Sequence, residues 1–248
     1  MKRFKLTIAY DGAGYYGWQV QPRQVTVQQR VEEAVQRLFP EVKRVHSSSR
    51  TDTGVHALGM VAHVDLPVDQ RPMDGPQLRR ALNAFLPADI RVMKAVRAKA
   101  DFHARFDAKG KQYHYRIWNG PVMNPLFNGR AWHVPVALDV PRMQAAAKLF
   151  VGKKDFKSFA TTREYEMETT VRRVTKCEVR RRGPELGVLI AGEGFLYKMC
   201  RGIAGTLEQV GQGKLTQKEI RQIFRERDRR VAGMNAPACG LTLVKVDY

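Results

Sequence analysis

The sequence predicts an α+β protein made of two similar α/β halves, with mainly antiparallel sheets and helices packed on one face. Three observations predict it. Apolar residues alternate with their neighbours over residues 4 to 10, the period of a half-buried strand, and the chain closes on the strand-like run "LTLVKVDY". Apolar residues recur at helical spacing in five separate windows. Strands and helices follow one another without strict alternation, which favours antiparallel sheets over a doubly wound parallel one.

Phe4, Leu6, Ile8 and Tyr10 alternate with Lys5, Thr7 and Ala9, giving a first strand that stops at the turn residues Asp11-Gly12. Thr26 and Gln29 stand as a capping box ahead of Val27, Val31, Ala34, Val35 and Leu38, one face of a helix. Residues 59 to 66 read as extended. Leu78, Ala81, Leu82 and Phe85, introduced by Asp74 and Pro76, form a second helical face. "FHARFDA" and "YHYRIW" both alternate, predicting two neighbouring strands.

The pattern then lapses into "NGPVMNPLFNGRAWHVP", dense in Gly, Pro and Asn. This divides the chain into an N-terminal half, residues 1–120, a connecting segment, 121–136, and a C-terminal half, 137–248, with a cleft between the halves. In the second half Met143, Ala146, Ala147 and Phe150 make a helical face ending at Gly152. Extended segments are expected near 170–181 and 186–192, and helices over 195–210 and 216–227. The last helix opens on a capping box, Thr216 and Glu219, and "LTLVKVDY" closes the chain as a strand.

Composition narrows the partner. The 248 residues contain 43 Lys+Arg against 24 Asp+Glu, a formal charge of +19, and the cations are spread along the chain instead of collected in one polar tail. Such a surface calls for a polyanion. Three widely spaced cysteines, none in a C-x-x-C pair, suggest neither disulfides nor zinc and fit a reducing, cytoplasmic compartment. The six histidines lack metal-ligand spacing, so no metal site is expected. No window reaches the length of a membrane span, and the chain reads as soluble, without a membrane partner.

One stretch stands out chemically. In "SSSRTDTGVHALG", residues 47–59, Asp52 is the single carboxylate, in a segment with neither helical nor strand period. An aspartate there can simply accept backbone hydrogen bonds in a turn. Asp-Thr-Gly also occurs in aspartic proteases, but those need two such carboxylates and an all-β chain. Only one such tripeptide is present, beside Arg50.

The longer string is more specific. "RTDTGVHA", with "YDGAGYYGWQ" before it and "FHARFDAKGKQYHYRIWN", "ALNAFLPADIRV", "DFKSFA", "MCRGIAGTLEQVGQGKLT" and "APACGLTLVKVDY" elsewhere, resembles the tRNA pseudouridine synthase A family along the whole chain. Ser48 and Ser49 stand where the family commonly has Ala-Gly, and Thr53 where Ala is frequent; all are small-for-small changes.

The resemblance implies the pseudouridine synthase fold with a central RNA-binding cleft, and isomerisation of uridine to pseudouridine in the anticodon stem-loop of tRNA, at about positions 38 to 40, without a cofactor. It implies catalytic roles for Asp52 as nucleophile, for Arg201 as the cation that keeps it ionised, and for Tyr113 as the ring that stacks on the flipped uracil. Whether Asp52 attacks C1′ or C6, or removes the C2′ proton, is left open. Arg50, Thr51 and His56 come from the same motif, and Leu241 lines the pocket as an apolar wall. Charge adds Arg23, Arg79, Arg80, Lys109 and Lys111 as candidates for phosphate contacts. The family also implies a homodimer that grips both anticodon arm and tRNA body. Two other readings keep the fold: a tRNA-binding chaperone without catalysis, and a synthase of different site specificity.

Overall fold

The computed structural model describes residues 1–67, 72–161 and 169–248. In chain order these form β1 (Lys2–Tyr10), α1 (Val27–Leu38), β2 (His46–Ser47), β3 (His56–Leu66), α2 (Gly75–Phe85), β4 (Ile90–Arg97), β5 (Gly110–Trp118), β6 (Trp132–His133), α3 (Val140–Ala147), β7 (Gly152–Asp155), β8 (Val171–Arg182), β9 (Glu185–Gly192), α4 (Met199–Gly211), α5 (Gln217–Glu226) and β10 (Leu241–Asp247). The class is α+β. The pairs β1–β3, β1–β4, β5–β9, β7–β8 and β8–β9 are antiparallel, and only the short β5–β6 pairing among the registers described is parallel. The chain divides into two compact units, Met1–Lys109 with Leu243–Tyr248, and Gly110–Thr242.

In the first unit the strand order is β4-β1-β3-β10, with β2 added on β3. β1 buries Phe4, Leu6, Ile8 and Tyr10, as its alternation requires. α1 buries Val27, Val31, Ala34 and Val35. Its Thr26 hydroxyl accepts the Gln29 N–H, but the expected box is only half made, because the Gln29 side chain donates to Glu33 at 2.9 Å. α2 has the complete reciprocal box, between Asp74 and Gln77. It buries Leu78 and Leu82, whereas Phe85, expected on the same face, is 51% exposed.

Two further departures from the sequence reading fall in this unit. "FHARFDA" is a turn, not a strand. The His103 Nδ1 accepts the N–H groups of Arg105 and Phe106, and Asp107 accepts the His103 N–H, so short polar side chains capture the amides that a strand would have paired. β4, which periodicity does not reveal, follows α2. Its burial pattern breaks alternation where the β1 register shifts between Thr7 and Ile8, and this hides its period.

In the second unit the order is β5-β9-β8-β7, with β6 beside β5. Tyr113, Tyr115 and Ile117 of β5 lie opposite Ile190, Val188 and Leu186 of β9, and all six are buried. α3 buries Met143, Ala146 and Ala147, then tightens into a 3-10 turn over Lys148–Phe150. Phe150, Phe156, Phe159 and Phe224 form an aromatic cluster with ring centroids 4.6 to 6.2 Å apart, and Phe224 brings α5 onto it. α5 opens on the predicted box between Thr216 and Glu219.

α4 begins at Met199 instead of 195. Lys198 is left-handed, with φ +58, and supplies no side-chain cap, so Leu196 precedes the helix. Gly202 and Gly205 are kept by close packing: a Cβ would stand 2.3 Å from the Phe159 carbonyl oxygen and 1.9 Å from that of Met234.

Candidate active site

Asp52 lies half-buried in the irregular segment between β2 and β3. Its carbonyl accepts the Val55 N–H at 3.1 Å, closing a tight turn in which Gly54 takes φ +76. Thr51 is buried at 7% exposure, and its hydroxyl is 2.7 Å from the Tyr10 hydroxyl at the end of β1. Burial pushes the Tyr10 phenol well above its ordinary pKa, so it stays neutral and serves as a hydrogen-bonding strut.

The segment after β1 holds the turn from the other side. Trp18 N–H donates to the Thr51 carbonyl at 3.1 Å, and Gly54 N–H to that of Tyr15 at 3.3 Å. The backbones are too close for side chains: a Cβ on Gly12 would be 2.0 Å from the Val55 oxygen, and one on Gly17, φ +82, 2.5 Å from the Thr51 oxygen. His56 is buried, with Nδ1 3.0 Å from the Gly12 N and 3.0 Å from Asp11 Oδ1. These contacts are alternatives, since a bare Nδ1 takes the Gly12 N–H and a protonated one faces Asp11. His56 thus ties the turn to Asp11-Gly12. The motifs "YDGAGYYGWQ" and "RTDTGVHA", far apart in sequence, form one interlocked loop pair, and Tyr10, Gly12 and Gly17 join the site from the first.

The second unit carries the other expected residues. Tyr113 on β5 is buried, its ring edge-on to Phe195 at 5.2 Å and 86°. Tyr115 is fully buried, and its hydroxyl donates to the Pro237 carbonyl at 2.7 Å, the core role its alternation suggests. Arg201, in the first turn of α4, is half-buried. Its Nε donates to the Ala236 carbonyl at 2.7 Å, and the Ala236 N–H returns to the Arg201 carbonyl at 3.0 Å. Arg201 is therefore held by the backbone before β10, unlike a surface arginine. Burial raises the pKa of Tyr115 and of the Cys239 thiol, and the positive charge of Arg201 opposes both shifts. Leu241 is buried at the start of β10.

Arg23, Arg50, Arg79, Arg80 and Lys109 are exposed, and Lys111 is half-buried on β5. Arg23 is left-handed, φ +60, in the loop after β1. Arg79 and Arg80 project from α2, the former within 3.5 Å of the Met93 carbonyl. Exposure leaves these cations able to meet phosphates. Among the described residues no group of three or more His, Cys, Asp or Glu is placed to hold a metal ion, and no helix is long and apolar enough to cross a membrane.

The sequence matches the family described as tRNA pseudouridine synthase over residues 6–107 and 146–248. It is 42% identical to tRNA pseudouridine synthase A of Methylacidiphilum infernorum, over 99% of this chain and 95% of that protein. It is 46% identical to the protein of that name from Brevibacillus brevis and 44% identical to that from Geotalea uraniireducens, in each case over the full length of both.

Proposed function

The chain belongs to the tRNA pseudouridine synthase family, an isomerase family, and on that premise we propose that it isomerises uridine in the anticodon stem-loop of tRNA, at about positions 38 to 40, with Asp52 as nucleophile. In the overall reaction the bond from C1′ to N1 breaks, the uracil turns, and C1′ rejoins at C5. The C5 proton leaves to solvent and N1 takes one up, so atoms balance without an oxidant or reductant.

The single observation that carries this reading is the fixation of Asp52. Its turn is held by Thr51, Gly54, Val55 and His56 on one side and by Tyr10, Gly12 and Gly17 on the other. A nucleophile held so firmly spends little entropy in reaching its target. A flipped base needs a flat partner and an apolar wall, the roles of Tyr113 and Leu241. A carboxylate in a site that excludes water needs a cation to stay charged, the role of Arg201. Arg50 contacts the RNA beside the extruded nucleotide, Thr51 and His56 hold the nucleophile's loop, and Arg23, Arg79, Arg80, Lys109 and Lys111 take phosphates. The working enzyme is a cytoplasmic homodimer in this reading.

Tritium release from unmodified tRNA labelled at uracil C5 tests it. Wild type is expected to release label, and Asp52→Asn to release none while still binding tRNA. Turnover by Asp52→Asn at the wild-type rate would remove Asp52 from the mechanism. Tight tRNA binding with no release by wild type would make the protein a non-catalytic tRNA binder.

A further inference from the structure

α5 presents a second charged surface that the reaction does not use. Its apolar face is consumed in the core: Ile220 and Ile223 are buried, and Phe224 packs into the aromatic cluster. The opposite face exposes Lys218, Arg221 and Arg225, at i, i+3 and i+7, in one stripe roughly 10 Å long. Nearby carboxylates are engaged elsewhere. Glu219 accepts from the Thr216 N–H and hydroxyl at 2.7 and 2.8 Å, Glu226 from Gln222 at 2.7 Å, and Asp228 from Arg230 at 2.6 Å. Among the described residues no carboxylate lies within ion-pair distance of the three cations.

Like charges three and four residues apart on a helix repel one another, so the stripe opposes the helix that carries it. A bound polyanion removes that repulsion. An anionic membrane fits poorly, because an interfacial helix must insert its apolar face and this one is already buried. Nucleic acid needs only the charged face.

The position of α5 within the second unit says which part of the RNA it would meet. Lys154 of β7 sits over the Phe224 ring at 5.4 Å, and Arg227, just past α5, pairs with Asp155 at 3.1 Å. α5 thus adjoins β7, at the end of the order β5-β9-β8-β7, while Tyr113 stands on β5 at the other end. Three strand spacings, about 14 Å, separate β7 from β5.

We propose that Lys218, Arg221 and Arg225 form a docking stripe for the sugar-phosphate backbone of tRNA, apart from the stretch that carries the target uridine. The proposal rests on tRNA as the substrate and extends it to a contact surface on α5. The test is the salt dependence of binding to an unmodified tRNA transcript. Because all three side chains are exposed, the combined variant Lys218→Gln, Arg221→Gln, Arg225→Gln keeps the fold, which circular dichroism checks.

The slope of log K against log salt is expected to become shallower by about 2 in this variant, at roughly 0.7 to 0.9 for each phosphate no longer neutralised. The charge-keeping variant Lys218→Arg, Arg221→Lys, Arg225→Lys is expected to retain the wild-type slope. An unchanged slope in the neutral variant overturns the stripe, as does an equally shallow slope in both variants. Tritium release by wild type reports separately on the reaction. Release with an unchanged slope leaves the isomerase reading and removes the stripe; a stripe-dependent slope without release does the reverse.

Discussion

Gly12 and Gly14 stand two residues apart in the same loop and meet opposite surroundings. A Cβ on Gly12 would press on the Val55 backbone at 2.0 Å, whereas one on Gly14 meets nothing within 4 Å. Backbone cannot retreat as a flexible side chain can, so Gly12→Ala must displace the turn that carries Asp52. We expect Gly12→Ala to lower the rate of tritium release by at least tenfold, about 1.4 kcal/mol of barrier, and Gly14→Ala to leave it within about twofold. Equal rates in the two variants would mean that the position of the turn does not govern turnover. At this scale the sequence is informative where chemistry is concentrated and silent where shape is. Asp52 stands out as a lone carboxylate in an irregular stretch. Gly12 and Gly17 are two of many glycines, distinguished by the approach of Val55 and Thr51 and, for Gly17, by its positive φ.

Among the elements, β3 carries a buried histidine that acid should unsettle. His63 is 3% exposed, stacked on His46 of β2 at 5.0 Å and edge-on to His103 at 4.7 Å. Its Nδ1 accepts the Ala104 N–H at 3.1 Å, so a proton arriving there would face another hydrogen. Burial first, then Arg3, His46 and His103, push its pKa down to about 4, with Asp65 acting the other way. His46 is shifted in the same direction, chiefly by burial. In the unfolded chain His63 returns to about 6.5. Between those values the unfolded state binds more protons, so the stability this residue contributes is complete above about pH 6.5 and is lost as pH falls through about 4. Melting temperature measured across that interval should fall more steeply for wild type than for His63→Asn, whose amide oxygen replaces Nδ1; parallel curves would assign the acid loss to other groups. The β1, β5 and β10 strands and the Thr216–Glu219 capping box are legible because their causes are local. "FHARFDA" is not, since alternation is blind to a histidine that captures its neighbours' amides. The start of α4 is misplaced because nothing in "FLYK" reveals that Lys198 turns left-handed.

For the whole molecule, the formal charge of +19 has a measurable consequence. Each phosphate neutralised releases counterions, so affinity for tRNA should fall by at least about a thousandfold between roughly 50 and 200 mM salt if about six or more phosphates are bound. A flat profile in a filter-binding titration would contradict the polyanion reading of the composition. The division into units is less legible than the charge. Periodicity marks residues 241 to 247 as a strand but does not say which strand they join, because partner choice depends on residues far away in sequence. The structure sets β10 beside β3 and gives Leu243–Tyr248 to the first unit, where Asp247 accepts the Lys109 N–H at 2.8 Å and the Tyr248 hydroxyl donates to the Ala104 carbonyl at 2.7 Å.

That return of the chain sets a timetable for synthesis. A ribosome makes β1, β3 and β4 early, then nearly all of Gly110–Thr242, and only at the end the strand β10, which lies beside β3. Until then the nascent unit bearing Asp52 exposes unpaired backbone of the kind that recruits other chains. A transcript cut short anywhere in the second unit would therefore yield an N-terminal fragment with an open sheet, prone to aggregation and to proteolytic clearance, even though every residue of the Asp52 turn had been translated.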